Sequence, residues 1–399
     1  MKARTPPRLV TLILLTAVST LSLNMFLPSL AGIAVDLDAP YATVSLAVAG
    51  YLAVTAVIQL IVGPLSDRVG RRPVLLASLL VFTGASALCA LATDIWIFLA
   101  FRMLQGGIIT GYALSLAIVR DTTSERAAAG VIGYISMAMA VAPMLGPMLG
   151  GLLDTAFGWR ANFYFYMVAG AVLTAVCWVD LGETRPIRTG THTANPERMR
   201  DLLKEPLFWA FSSCSAFSAG AFYMFLTGAP LVAQTQFGVS TAELGVLIGT
   251  ITAGFMLGGL IAGRLAPKYR PTTMMIAGRL IACFGTSAGI VAILAGITSP
   301  IFFFGSTVFV GLGNGITMPS SNASAMSVRP NLAGSAAGVT GALVVAAGAV
   351  LTTLTGLALP ADEPALTLLI LMFAASAAGL VSVLLAIKLR TVPEDLHVR

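Results

Sequence analysis

Charge is what this chain has least of. Only 10% of its 399 residues are Asp, Glu, Lys or Arg, while 57% are hydrophobic; a soluble domain carries about 25% charged residues. So few charges cannot cover the surface of a soluble protein of this length, so lipid must be the solvent for much of it. Histidine is scarcer still: His192 and His397 lie far apart in polar segments and offer no metal constellation. The four cysteines, Cys89, Cys177, Cys214 and Cys283, sit inside apolar runs without a CxxC spacing. Neither a disulfide framework nor a zinc site is expected of them, and they read as small buried apolar residues. No Ser/His/Asp or Cys/His set is placed for catalysis. The glycine-rich Gly311–Gly315 run lacks the strand and the Lys-Ser/Thr of a nucleotide loop. The chain therefore reads as a non-enzyme that needs no cofactor and no metal.

What is abundant is long apolar sequence. Lys2, Arg4 and Arg8 precede a run from Leu9 to about Ile33, too long for the roughly 7–15 residue core of a signal peptide. It reads as the first of twelve spans of about 20 residues each. The punctuation places them at 9–33, 42–64, 73–93, 95–119, 129–152, 162–181, 206–228, 241–264, 272–296, 300–324, 334–358 and 365–389. The longest polar stretch, Gly182 to Glu205, divides them six and six. The expected organisation is an all-α membrane protein with an N-terminal bundle (1–185), a cytoplasmic linker (186–205) and a C-terminal bundle (206–399). With 40 glycines and only 8% aromatics, its spans can pack closely.

Basic residues orient these spans. With the N-terminus in the cytoplasm, 20 of the 23 lysines and arginines fall on the cytoplasmic side. Arg160 alone falls on the other side, and Arg102 and Arg279 fall within spans. Both termini are thus expected in the cytoplasm of a bacterial inner membrane. The net charge of +6 becomes a topology signal, so nucleic acid is not a partner. None of the 17 acids falls deep in a span by these boundaries.

Several motifs carry chemistry. Between spans two and three runs Gly63-Pro-Leu-Ser-Asp67-Arg68-Val-Gly70-Arg71-Arg72-Pro73. Gly70 permits a tight turn and Pro73 suits a first helical turn. Arg102 and Gln105 share a face of span four, in Arg102-Met-Leu-Gln105-Gly106-Gly107. An arginine in the apolar layer costs about 2.5–3.5 kcal/mol on insertion scales, so it should face a wet cavity or a polar partner. Arg279 lies about two turns into span nine, within snorkelling reach of the interface. Span five holds Pro143, Gly146, Pro147, Gly150 and Gly151, with the prolines one turn apart and Gly146 and Gly150 also i,i+4.

These stretches resemble the major facilitator superfamily, whose signature between helices two and three is G-x-x-x-D-R-x-G-R-R. The resemblance covers the whole chain. It implies two six-helix bundles related by a pseudo-twofold axis, built from inverted repeats, with a ligand between them and function by rocking. It also implies a gating latch of Gly63, Asp67, Arg68, Gly70, Arg71 and Arg72, with Asp121 as partner. Arg102 and Gln105 match the family's R-x-x-Q-G element of proton coupling. Pro143, Gly146, Pro147, Gly150 and Gly151 match its G-P-x-x-G-G antiporter motif, which points to export. Asn24-Met-Phe26-Leu27-Pro28-Ser-Leu30, Arg120-Asp121 and Gly228-Ala229-Pro230 resemble the Bcr/CflA drug-resistance branch of drug/proton antiporters.

One departure matters. That branch usually carries an acid in helix one where this chain has Asn24, and asparagine cannot exchange a proton at accessible pH. A proton would then be carried nearer a helix end, by Asp36, Asp121 or Asp154, or transport would be driven otherwise. A cavity with fixed cations and no carboxylate favours neutral or anionic substrates, and an anion leaving down an inside-negative potential gains about 2.3 kcal/mol per 100 mV. The expected pathway residues are Asn24, Tyr51, Gln59, Arg102, Gln105, Tyr223, Thr227 and Asn314. The reading is a monomeric exporter of a small organic molecule, proton-linked, with an organic-anion facilitator or symporter driven by membrane potential as the alternative.

Overall fold

A computed structural model describes residues 8–122, 125–184, 196–329, 332–360 and 363–391. Its helices are α1 (Leu9–Asn24), α2 (Leu30–Asp36), α3 (Tyr41–Val69), α4 (Arg71–Leu91), α5 (Ile95–Gln105), α6 (Ile109–Thr122), α7 (Glu125–Phe157) and α8 (Arg160–Asp180). After them come α9 (Pro196–Leu203), α10 (Pro206–Leu231), α11 (Thr241–Leu265), α12 (Pro271–Leu294), α13 (Pro300–Ser327), α14 (Ala333–Ala358) and α15 (Pro364–Thr391). Among the described residues, 11 helical stretches are long and apolar enough to cross a membrane, and Val141–Phe157 is a shorter apolar helix. That shorter stretch is the last part of α7, where the fifth span is expected.

Local chemistry sets the boundaries. Prolines open α10, α12, α13 and α15, where a missing N–H costs nothing. Asp94 caps α5, its carboxylate accepting from the Trp96 and Ile97 N–H groups at 2.8 and 3.1 Å. Ser240 and Glu243 form a capping box at the start of α11. The first expected span is broken into α1 and α2 by a 3₁₀ turn at Leu27–Ser29, because Pro28 offers no N–H to continue the ladder. The fourth is likewise interrupted at Gly106–Ile108. Many hydroxyls inside spans, including Thr16, Ser86, Ser115, Thr174, Ser218 and Thr353, donate to the carbonyl four residues earlier. This satisfies them without a polar partner on another helix.

The chain forms two compact units: residues 1–190 with 230–249, and residues 191–229 with 250–399. The first unit differs from the expected 1–185 bundle because the end of α10 and the start of α11 pack with it. Gln234 donates to the Pro28 carbonyl at 3.1 Å, and a Cβ on Gly245 would stand 2.3 Å from the Pro147 carbonyl oxygen. Within this unit α4 packs on α5 and α8, and α1 is held by α6, α7 and α8. Phe26, Phe98, Trp159, Phe163 and Tyr166 make a continuous set of tilted and edge-to-face rings. In the second unit α12 packs on α13 and α15. There Leu202, Phe208, Phe211, Met275 and Val383 are fully buried together. Leu202 belongs to α9, so the end of the polar linker is helical and anchored, which its composition did not reveal.

Candidate transport site

The Arg102 guanidinium is fully buried in the first unit. It does not face water; it is caged. Nη2 donates to the Ser22 carbonyl at 2.7 Å and Nη1 to Gln105 Oε1 at 2.8 Å. The Phe26 and Tyr51 rings lie over its central carbon, each 4.2 Å away at the centroid. Gln105 passes the network on, its Nε2 donating to Ser86 Oγ at 2.7 Å. Among the described residues no carboxylate pairs with Arg102, and its Nε has no hydrogen-bond partner. The structure thus brings three of the expected pathway residues together, Arg102, Gln105 and Tyr51. Sequence reasoning missed Ser22 and Ser86, which carry no signal on one chain because small hydroxyls are common in any span, and it read Phe26 only as part of a family-like stretch, not as a ring over Arg102.

Asn24 lies apart from this cage in its contacts. It is 3% exposed, its Nδ2 returns to the Thr20 carbonyl at 2.8 Å, and its Oδ1 is unpartnered. Its neighbour is α7: a Cβ on Gly146 would come within 3.5 Å of Asn24 Cβ. One turn on, a Cβ on Gly150 would stand 1.7 Å from the Met25 carbonyl oxygen, so only glycine fits there. A Cβ on Gly151 would meet the Thr241 carbonyl oxygen at 2.4 Å. Pro143 and Pro147 lie within α7, which runs through them. Gln59 is half-buried on α3.

Among the described residues, the segment between α3 and α4 is held by Asp67, Ser66, Trp178 and Glu183. Gly70 turns the chain with φ 118°. Arg71 pairs with Asp67 at 2.8 Å in the preceding helix, and its Nη1 donates to Ser66 Oγ at 2.6 Å. The Arg71 backbone N–H donates to Glu183 Oε1 at 2.9 Å, so Glu183 caps the positive end of α4. Arg72 stacks over Trp178 and donates to its carbonyl at 2.7 Å. Arg68 is exposed on the last turn of α3, and Gly63 faces open space. The side chain of Asp121 lies outside the described residues.

In the second unit, Arg279 departs from expectation. It does not snorkel: it is fully buried, with Nη2 donating to Asn314 Oδ1 at 2.5 Å and Nε to Thr317 Oγ1 at 3.1 Å. Asn314 in turn donates to the Ser218 carbonyl at 2.9 Å, joining α12, α13 and α10. Close packing by Gly278, Gly313 and Gly379 shuts this arginine away from the interface. Thr227 is buried and donates to the Tyr223 carbonyl at 3.1 Å, and the Tyr223 ring lies against Gly348. An apolar groove of about 310 Å³ runs between α4 and α8, lined by Leu80, Thr83, Ala171, Thr174, Ala175 and Trp178, none of them a pathway residue.

Residues 12–353 match the family model of the Major Facilitator Superfamily. The chain belongs to that superfamily. Among Major Facilitator relatives, it is 30% identical over 351 residues to an uncharacterized MFS-type transporter, YdgK, of Bacillus subtilis (strain 168), covering 86% of this chain and 87% of the relative. It is 31% identical to the chloramphenicol resistance protein of Pseudomonas aeruginosa, over 78% of this chain and 73% of that one. It is 29% identical to the multidrug resistance protein MdtL of Citrobacter koseri, over 79% and 81%. Solved structures agree on the fold: a D-xylose-proton symporter superposes with a TM-score of 0.78 at 16% identity, covering 97% and 98% of the two chains. The superfamily makes this a membrane-spanning secondary transporter of small molecules and not an enzyme.

Proposed function

We propose that this transporter exports neutral or anionic small organic molecules from the cytoplasm by alternating access, linked to protons. The observation that carries the substrate class is Arg102, a fully buried cation with no carboxylate partner among the described residues. A pathway beside such a charge repels organic cations and accepts anions and hydrogen-bonding neutral compounds. Asn24 Oδ1, buried and unpartnered, offers an acceptor to a substrate N–H or O–H. Two relatives named for chloramphenicol and multidrug resistance support a drug-like cargo. The glycine and proline motif of α7 supports the export direction. In this reading the protein lies in the inner membrane as a monomer with both termini in the cytoplasm and six spans on each side of the 186–205 linker. Asp67, Arg68, Arg71, Arg72, Gly63 and Gly70 act as the gating latch with Asp121, and Glu183 now joins them. Asn24, Tyr51, Gln59, Arg102, Gln105, Tyr223, Thr227 and Asn314 line the path.

Flux into vesicles of reconstituted protein tests this, with chloramphenicol, an organic anion and tetraphenylphosphonium as separate probes, and with pH and voltage gradients imposed separately. Chloramphenicol or the anion should move in response to the pH gradient. Strong preference for the lipophilic cation overturns the substrate class; response to voltage alone favours the organic-anion reading.

A further inference from the structure

In a bilayer, a slot between two helices is filled by hydrocarbon of matching shape. The groove between α4 and α8 has a defined shape. Ala171, Thr174, Ala175 and Trp178 recur at helical spacing on one face of α8, and Leu80 and Thr83 face them from α4. The two alanines make a low floor between taller walls. At Gly170 the floor ends: a Cβ there would stand 2.5 Å from Thr83 Oγ1 and 2.9 Å from Phe82 Cδ1, so the helices touch. The hydroxyls of Thr83 and Thr174 turn back on their own helices, donating to the Leu79 and Gly170 carbonyls at 2.8 and 2.7 Å. The slot is left with a hydrocarbon lining.

The other end, nearest the basic turn between α3 and α4, carries a cation. Arg72, in the first turn of α4, lies over the Trp178 ring at 5.2 Å and donates from Nη2 to the Trp178 carbonyl at 2.7 Å. That carbonyl is neutral, and among the described residues no carboxylate pairs with Arg72. Its Nε has no hydrogen-bond partner. The two acids nearby are engaged elsewhere. Asp180 is held by Arg8 and by Thr11 Oγ1 at 2.6 Å, and Glu183 accepts from the Arg71 N–H at 2.9 Å. A guanidinium fixed over an exposed tryptophan thus keeps its charge uncompensated at the mouth of the groove.

Spacing along α4 sets the length of what fits. Thr83 follows Arg72 by three helical turns on the same face, about 17 Å along the axis. One leaflet's hydrocarbon is about 15 Å thick, half of the bilayer core. A cation at one end, an aromatic ring beside it and an apolar slot of one leaflet's depth match the plan of a phospholipid. Arg72 selects the net-negative headgroup, because a zwitterion brings its own cation to the same place.

We propose that the α4–α8 groove binds an anionic phospholipid, with one acyl chain lying against Leu80, Ala171 and Ala175 and the phosphate on Arg72. In the topology proposed above, this lipid belongs to the cytoplasmic leaflet; the site itself needs neither the proton link nor the substrate reading. The lipid spans the same two helix ends that Glu183 ties together through the Arg71 N–H, and so adds a second tie between α4 and α8. Free phosphate does not replace it, because the acyl chain supplies most of the surface removed from water.

Native mass spectrometry of the delipidated full-length protein, titrated with phosphatidylglycerol and phosphatidylethanolamine of the same acyl chains, tests the site. The wild type should hold phosphatidylglycerol about fivefold more tightly. Arg72→Gln should erase that preference. Arg72→Lys keeps the charge and should retain most of it, which separates loss of the site from loss of the fold. Ala175→Leu fills the slot and should weaken both lipids by a similar factor. Arg264→Gln removes an exposed cation from the last turn of α11 and should change nothing. In vesicles, phosphatidylglycerol brominated on its acyl chains should quench tryptophan emission more than the phosphatidylethanolamine analogue at the same mole fraction, and Trp178→Phe should remove the difference. Equal affinity for the two headgroups in the wild type, an unchanged preference in Arg72→Gln, displacement of the bound lipid by glycerol phosphate, or a quenching difference that survives Trp178→Phe overturns the site. These readouts involve no flux, so the lipid site and the transport reading stand or fall separately.

Discussion

A methyl group at position 150 has nowhere to go. In Gly150→Ala the new carbon would lie 1.7 Å from the Met25 carbonyl oxygen and 2.6 Å from its carbon, both backbone atoms that no rotamer change can move. Helix α1 must therefore separate from α7 just before its break at Leu27. Overpacking of this kind costs about 1–3 kcal/mol, and a backbone clash belongs at the top of that range. Alanine's better helix propensity returns about 0.5–1 kcal/mol, leaving a net loss of about 2 kcal/mol. Two relatives of the change provide the scale. Gly146→Ala would meet Leu21 Cδ2 at 3.1 Å, a side-chain end that can yield, and should cost less than about 1 kcal/mol. Gly84→Ala meets nothing within 4 Å and should be neutral or slightly stabilising. The readout is the fraction of monodisperse protein surviving a heating series in detergent, measured by size-exclusion chromatography. The order should run Gly84→Ala, then Gly146→Ala, then Gly150→Ala as the least stable. If Gly150→Ala survives as well as Gly84→Ala, the backbone contact between α1 and α7 is not as described.

Asn314→Ala leaves Arg279 and the Ser218 carbonyl each one partner short and should cost about 2–3 kcal/mol. Adding Arg279→Met should recover part of it, a coupling read from a double-mutant cycle of thermal unfolding. Glu183→Ala removes the carboxylate that caps α4 and should lower stability by about 1 kcal/mol, whereas Glu183→Gln should lose less; thermal unfolding of the two separates them. Arg102→Lys keeps a charge but cannot reach the Ser22 carbonyl and Gln105 as a fork or stack between Phe26 and Tyr51. Flux in vesicles of whichever probe the wild type carries should fall at least tenfold, and undiminished flux would place Arg102 outside the pathway.

Most of the fold was legible because span length and helix punctuation act locally. Pro271 and Pro300 mark helix starts in the sequence, and they start helices in the structure. The α1–α2 break was not foreseen, although Pro28 announces it, because the apolar run continues across it unchanged. At the site, Arg102 and Gln105 were readable as a pair from their spacing alone. Their cage was not, since Ser22 and Phe26 come from a different helix and spacing says nothing about which faces meet. Arg279 shows the same limit in reverse: its depth suggested snorkelling, but Asn314, 35 residues later, supplies a buried partner. Asp154 fell outside the expected span because α7 runs on to Phe157, past the expected end at 152, and a helix end is the least legible feature of any span.

The hydroxyls that bond back to their own helices have a mechanical consequence. Each carbonyl that accepts from Thr16, Ser86, Ser115, Thr174, Ser218 or Thr353 divides its lone pairs between that hydroxyl and the next turn's N–H. Such sharing slightly loosens the backbone bond and lets a helix bend. Elastic give is therefore spread along these rods at many weak points instead of being stored in one joint. A rod of this kind can flex under load without exposing a single polar group to the acyl chains around it.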